Sequence, residues 1–371
     1  MRRKAFLFLL LSLALLAAGC GERPAGGTAG AVDAGDSGSA SAGTETSVSA
    51  AESDGAESSE IFSSRDFEVG YAESESAVIE LNGDSAACAS DAVQISGGTV
   101  TITDEGTYIL SGTLHNGTII IDAEKTDKTQ LVLDGATIHS ESSAAIYVRQ
   151  ADKVFITLAS DSVNTLSNGG SFAAIDENNI DAVVFSRDDL CMNGSGSLTI
   201  VSPAGHGVVS KDELSVTSGV YTVTASSHGL SANDNVCIAN ASISIVSGKD
   251  GIQAAHDSDA SLGFVYMESG SLDITSGGDG LSASAYMQIN GGSLRISAGG
   301  GSANVTGAQS GLWSGGQAAQ ASEEEVDSMK GLKAAGSLLI NGGSFTIDAA
   351  DDAVHSNADL RVNGGEFSIA T

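Results

Sequence analysis

One phrase returns down this chain at a fixed spacing, and that spacing constrains the fold more than anything else in it. Ala285–Ile296, Gly336–Ile347 and Asn357–Ile369 each read as two short alternating strands broken by Asn-Gly-Gly. Looser copies run over Asp212–Val223, Asp234–Ile245 and Gly263–Ile274. A second phrase precedes each copy: His206-Gly207-Val208, His228-Gly229-Leu230, Asp250-Gly251-Ile252, Asp279-Gly280-Leu281, Lys330-Gly331-Leu332 and Asp352-Ala353-Val354. The landmarks Gly207, Gly229 and Gly251 lie 22 residues apart, as do Gly331 and Ala353. Gaps of 29 and 51 residues, from Gly251 to Gly280 and on to Gly331, read as the same unit with a loop inserted. A short fixed period built from strands is the mark of a solenoid, and a sandwich has no reason to hold one phrase in phase for so long. The expected architecture is therefore all-β, a parallel β-helix. About nine coils spaced about 4.8 Å apart would make a rod of about 43 Å. Val208, Leu230, Ile252, Leu281, Leu332 and Val354 should form one inward column, and Ile238, Ile289, Ile340 and Val362 another.

The start of the chain has a different character. Arg2, Arg3 and Lys4 precede the apolar run Ala5–Ala18, and Leu16-Ala17-Ala18-Gly19-Cys20 follows, so residues 1–20 read as a signal peptide. The small pair before Cys20 resembles a bacterial lipobox, although Leu16 stands four residues ahead of the Cys where the pattern has three. Diacylation of Cys20 would anchor the protein in a membrane. Residues 21–90 are rich in Gly, Ala, Ser and acid, and are expected to be a disordered linker whose end, around Ile61–Leu81, contacts the helix. Residues 91–371 are the expected β-helix domain, entered through Val93–Ile95, Thr99–Ile102 and Tyr108–Leu110. No capping unit follows the last phrase, so a chain continuing past Thr371 is expected. Cys191 and Cys237 hold equivalent positions with the unit of Ser215 between them, about 10 Å apart and too far to bridge.

Charge narrows the partners. The chain holds 47 Asp and Glu against 16 Lys and Arg, a formal net charge of −31. Nucleic acid is excluded as a partner. The acids are also in phase. Reading up the coils, the position before each landmark is Asn116, Ala144, Asp181, His206, His228, Asp250, Asp279, Lys330 and Asp352. Carboxylates stacked about 5 Å apart repel by about 1 kcal/mol in water and more near a protein surface, which a cation between them would relieve. Oxygen donors favour calcium. Asp250 and Asp279, with Asp257 and Asp259 nearby, are the first pair; Asp351 and Asp352 are the second. Another row, Asp152, Asp188, Asp212 and Asp234, flanks the other end of the same strands. Asp-Gly is also ordinary turn chemistry, so metal and turn both remain open for these rows. Asn290, Asn341 and Asn363 are structural candidates, suited to tight turns and to an amide ladder.

Enzymatic readings find less support. Gly205-His206-Gly207 and Ala350-Asp351-Asp352 echo polygalacturonase motifs, but in reversed order and several coils apart, whereas a glycosidase needs its two carboxyls within about 10 Å. A pectate lyase would need a basic residue beside calcium, and Lys330 is the residue of the row that could serve. Insertions at Thr165–Asn179, Ala255–Gly263 and Ala298–Ser328 would wall the acidic face into a groove. The last carries Trp313, a candidate either for stacking on sugar or for packing the loop, and Glu323-Glu324-Glu325.

The alternation of Asp-Gly-Ile/Leu with Leu-x-Ile-Asn-Gly-Gly-Ser-Leu-x-Ile, behind a lipoprotein-like start and an acidic tail, resembles the bacterial cell-surface carbohydrate-binding domain proteins of pectate-lyase-like fold. The resemblance covers about Asp91–Thr371. It implies a right-handed β-helix, bound calcium, and binding of plant polysaccharide, acidic polygalacturonate first and cellulose as an alternative, without established catalysis. It does not assign the ligands. The candidate metal residues from the residue pattern are Asp250, Asp279, Asp351, Asp352, Asp181, Asp234, Asp212 and Asp188, with Trp313 and Lys330 toward sugar. A lyase, detected by release of unsaturated uronate, and a non-sugar adhesin or spacer, detected by failure in glycan pull-down, stay open.

The start of the chain generates the first prediction. Cys20→Ser should move the protein from the membrane to the soluble fraction on cell fractionation. A variant that stays membrane-bound and matures normally would rule out lipid anchoring at Cys20.

Overall fold

The computed structural model describes residue 56 and residues 58–256, 258–304 and 328–371, all within the unit Ser53–Thr371. The landmark phrase supplies one strand per turn. These strands make an eleven-stranded sheet, here the landmark sheet. It runs from Val354–Ser356 through Leu332–Ala334, Leu281–Ala283, Ile252–Ala254, Leu230–Ala232 and His206–Ser210 to the entry hairpin Val93–Ser96/Thr99–Ile102. Among the described residues, only that hairpin is antiparallel in the sheet. The Asn-Gly-Gly phrase supplies two more strands per turn. Asn235–Ile238, Phe264–Met267, Met287–Ile289 and Leu338–Ile340 stack in a middle sheet. Ser242–Ser247, Ser271–Ser276, Ser293–Ala298 and Ser344–Ala349 stack in a return sheet. The long strand Lys128–Ser140 belongs to both, pairing first with Lys153–Leu158 and then with Val163–Asn168. The architecture is an all-β solenoid of parallel ladders.

The inward columns form as the period requires up to the last turn, where Val362 is 50% exposed. Leu230 pairs with Ile252, Ile252 with Leu281, Leu281 with Leu332 and Leu332 with Val354. Ile289 pairs with Ile340, and Ile340 with Val362. Leu281, Leu332, Ile289 and Ile340 are fully buried, and each such side chain contributes about 1.5–3 kcal/mol relative to an exposed one. Ser215 lies between Cys191 and Cys237 in the register, as the spacing requires, and both thiols are free and buried.

The turn between middle and return strands repeats in detail. The second glycine of each Asn-Gly-Gly takes a left-handed backbone, φ 102° at Gly292, 116° at Gly343 and 115° at Gly365. A Cβ at Gly343 would also stand 3.1 Å from the carbonyl oxygen of Gly292 on the turn before. The Asn side chains form the expected ladder: Asn341 Nδ2 donates to Asn290 Oδ1 at 2.8 Å, and Asn363 Nδ2 to Asn341 Oδ1 at 2.7 Å.

The linker boundary expected at residue 90 is corrected. Ser58–Ile61 is a helical turn, and Ala77–Gly83 is a strand pairing in parallel with Gly106–Leu114. Phe62 and Asp66 are 6% and 1% exposed. Averaged composition hid this, because a few residues do the anchoring: Phe62 enters an apolar cluster, and Asp66 meets Lys153 at 2.8 Å.

Replacing Asn341 with Leu removes a turn residue and both ladder bonds. The expected cost is about 1–3 kcal/mol. It is read as a lowered melting temperature against Ser344→Ala; equal melting of the two variants would count against the ladder.

Candidate functional site

Strand alternation sends the residue after each inward Val, Leu or Ile to the outside of the landmark sheet. Ser231, Gln253, Ser282, Lys333 and His355 therefore form an outer column in register. On earlier turns the same column is Tyr147, Phe185 and Val209, and it is covered. Tyr147, Phe185 and Val209 pack with Ile180 and with Phe172 of an inserted loop. That loop is pinned by Asp176, which accepts from Tyr147 Oη at 2.8 Å and Arg149 Nε at 2.9 Å. It begins later than expected, because Thr165 lies within the strand Val163–Asn168. The covered part ends where the polar part begins, so the insertion sets where the open face starts.

The row before the landmarks borders this face, and its side chains serve the backbone of the next turn. Asp250 Oδ1 accepts the Asp279 N–H at 2.7 Å, and Asp279 Oδ1 accepts the Lys330 N–H at 2.7 Å. His228 Nδ1 accepts the Asp250 N–H at 3.2 Å. The rings of His206 and His228 stack 5.1 Å apart. Burial, then the neighbouring His206 and Lys249, pushes His228 down to about 3, so it is neutral at neutral pH. Asp181 stands 3.9 Å from His206 and accepts from Asn179 Nδ2 at 3.2 Å.

The pair first expected to hold calcium does not fit it. Asp279 is 1% exposed, and Lys333 Nζ sits 3.0 Å from its second oxygen. Asp250 is pushed up to about 6, by burial first and the Asp279 charge second, so it holds its proton more tightly than an ordinary carboxyl. The second pair is likewise met by a side-chain cation, since Lys330 Nζ pairs with Asp351 and lies 3.6 Å from Asp352. Burial would lower the pKa of Lys330, but the hydrogen bond to Asp351 and the charges of Asp351, Asp352 and Asp279 outweigh it and raise it. Lys330 is thereby held as an ammonium and is poorly placed to act as a lyase base. Among the described residues, no group of three or more His, Cys, Asp or Glu side chains is placed to hold a metal ion. Lys333 was missed because it is not in the landmark row; the alternation one residue later marks it.

Between these rows lies a cleft of about 400 Å³ lined by His228, Lys249, Asp250, Gln253, Ser282 and Lys333, among others. It offers amide, hydroxyl, ammonium and carboxylate groups within one hollow. At the other edge, Asp188 accepts the Ala151 N–H at 3.0 Å. Asp212 is pushed up to about 6 by burial, then by Asp234 and Asp188. Asp234 stands 3.7 Å from His256, and burial raises its pKa. Beside this row Asp189 is pushed up to about 7, by burial and then the Glu213 charge. Trp313, Asp257, Glu323–Glu325 and Cys20 lie outside the described residues.

The fold and face define a class, an all-β solenoid with a long polar face flanked by in-phase rows. The chain belongs to the carbohydrate-binding domain-containing protein family, whose model matches residues 96–371. A carbohydrate-binding domain-containing protein of Acetivibrio thermocellus is 36% identical over 137 residues, 36% of this chain and 48% of that protein. The chain thus spans about half the length of the curated relative it matches. A solved polysaccharide lyase-like protein from C. thermocellum, studied as a gadolinium derivative, superposes with a TM-score of 0.61 at 26% identity, covering 78% of this chain and 99% of that one.

The raised carboxyls fix a pH trend. A carboxyl whose folded pKa lies above its unfolded value adds stability at low pH that is lost as pH rises through the folded pKa. For Asp189, Asp212 and Asp250 that loss accumulates from the ordinary value of 3.8 up to about 6 for Asp212 and Asp250 and about 7 for Asp189. His228 acts oppositely, losing stability as pH falls below its ordinary value of 6.5. The melting temperature should therefore rise as pH drops from about 7 to about 5, less steeply below about 6.5 where His228 opposes the carboxyls. Asp189→Asn should flatten the first part. A wild-type melting temperature that is level or falling over that interval would overturn the assignment.

Proposed function

We propose that the open part of the landmark face binds a polysaccharide chain along the rod. The observation that carries this is the outer column Ser231, Gln253, Ser282, Lys333 and His355, one polar side chain per turn, opening into the cleft beside Asp250 and Asp279. Hydroxyls, an amide, an ammonium and carboxylates at regular spacing suit an extended chain of hydroxyl-rich rings, and the family membership supports the same ligand class.

The finer reading is a non-catalytic, cell-surface protein held by a lipid on Cys20 and selective for acidic glycan. Lys333 and Lys249 favour uronate over neutral sugar, and the protonated Lys330 argues against a base for elimination. Calcium belongs to the proposal only as an ion shared with sugar carboxylates at the Asp188, Asp212 and Asp234 row, which no described Lys or Arg meets in an ion pair and which makes no metal group by itself. The neighbour's gadolinium derivative is in keeping with that, gadolinium being a hard, oxygen-seeking cation like calcium.

Calorimetry with polygalacturonate and a neutral glucan, each with calcium and with chelator, tests these points on wild type and Lys333→Ala. Lys333→Ala should weaken polygalacturonate binding by about tenfold, as loss of one charged contact does. Equal binding by variant and wild type would move the site off this face. Binding unchanged in chelator would remove calcium from the reading, and release of unsaturated uronate during titration would replace binding with a lyase.

A further inference from the structure

We propose that the outer face of the middle sheet is a second ligand groove, that residues 56 and 58–67 keep it closed as a strap, and that its ligand is a carboxylate-bearing sugar. The proposal rests on the polysaccharide reading above for the class of ligand, and on this face for the site.

The middle sheet has its own outer column, Phe155, Cys191, Ser215, Cys237, Tyr266 and Gln288, one residue from each successive turn. The strap crosses these strands and touches the column along its length. Ala56 exchanges two hydrogen bonds with the Gln288 amide, at 2.8 and 2.9 Å. Phe62 meets Tyr266 edge-on, centroids 5.9 Å apart, beside Cys237 and Phe264. The Arg65 guanidinium lies 4.5 Å from the centroid of the Phe155 ring. The carbonyl oxygen of Asp66 accepts from Thr217 Oγ1 at 2.6 Å and Asn193 Nδ2 at 3.1 Å. Its carboxylate pairs with Lys153 at 2.8 Å.

These contacts are of the kind an acidic sugar chain makes: an anion on a recessed cation, flat groups on aromatic rings, and amide and hydroxyl donors on oxygens. The strap thus occupies the groove as a ligand would. Lys153 is 9% exposed, and with Asp66 gone it would be a recessed charge without its ion-pair partner, the Asp189 charge acting from further off, a costly state that a sugar carboxylate would relieve. The groove is already partly open, since a hollow of about 510 Å³ lies between the strap and Lys128, Phe155, Asp189 and Glu213. The strap also covers two thiols. Cys191 Sγ lies 3.5 Å from the Asp66 carbonyl oxygen, and both Cys191 and Cys237 are 1% exposed or less. Their reactivity therefore reports the strap independently of any sugar.

The test uses the full chain and three variants, Asp66→Ala, Lys153→Met and Thr217→Val. Maleimide labelling is mapped by peptide at Cys191 and Cys237, and oligogalacturonate binding is measured by calorimetry. Asp66→Ala should raise labelling at both thiols by about tenfold, since one lost partner of a buried pair favours opening, with an unchanged β-sheet circular dichroism spectrum. It should also bind oligogalacturonate more tightly than wild type. Lys153→Met should open the strap equally and gain no binding, because the cation is gone. Thr217→Val, which keeps the charge pair, should give smaller changes in the same directions and serves if Asp66→Ala does not fold. Faster labelling without tighter binding, or an equal gain in Lys153→Met, would overturn the ligand groove. Unchanged labelling in both Asp66→Ala and Thr217→Val would overturn the strap. Lys333→Ala in the same assay reads the landmark face, so loss of binding there is separable from the gain that Asp66→Ala should produce.

Discussion

The parallel backbone ladder between one turn and the next determines where everything else in this protein can stand. Ser242–Ser247, Ser271–Ser276, Ser293–Ala298 and Ser344–Ala349 pair residue for residue, without a register shift. Each position in the repeat therefore becomes a row along the rod, whether apolar, amide or acidic. Rows amplify chemistry. Ile-on-Leu stacking is favourable at every turn, and Asn-on-Asn stacking satisfies both partners. Carboxylate-on-carboxylate stacking is unfavourable and must be answered somewhere.

The answers differ between the two acidic rows. In the landmark row they come from within the chain: backbone N–H groups on Asp250 and Asp279, Lys333 on Asp279, and Lys330 on Asp351 and Asp352. Sequence spacing exposes the repulsion but not the remedy, since whether an acid meets a metal, an amide or a lysine depends on side-chain direction one residue away. The row through Asp188, Asp212 and Asp234 has a weaker answer. Burial outweighs the hydrogen bond from Ala151 and the nearness of His256, so Asp188, Asp212 and Asp234 keep raised pKa values.

Most of the scaffold was legible because its signal is periodic. The inward columns, the Asn290–Asn341–Asn363 ladder and the position of Ser215 between two cysteines all follow from counting. What was not legible is aperiodic. Residues 58–90 have the composition of a linker, yet Phe62 and Asp66 fix part of that segment to partners up to 204 residues away, as Phe62 is to Tyr266. The inserted loop over Tyr147 and Phe185 is similar, since nothing in its length shows that Phe172 and Asp176 fold it back over the sheet. The candidate face was half legible. The acids at its border stand out by spacing, whereas Gln253, Ser282 and Lys333 differ from turn to turn and show no repeated residue type.

That variation has a physical meaning. A row that only builds the rod is free to repeat one residue, because the same contact recurs at each turn. The outer column of the landmark sheet instead changes from Tyr147 and Phe185 through Val209 and Ser231 to Gln253, Ser282, Lys333 and His355. The apolar members lie under the insertion and the polar members beyond it, so the column divides into a covered and an open length. On the middle sheet the division is made by the strap, with Phe155 and Tyr266 lying beneath it. In both places a regular ladder supplies the spacing and a non-repeating segment decides which length of it meets solvent. A search for ligand surfaces in such a rod therefore does better to follow the positions where the repeat loses its residue identity while keeping its register.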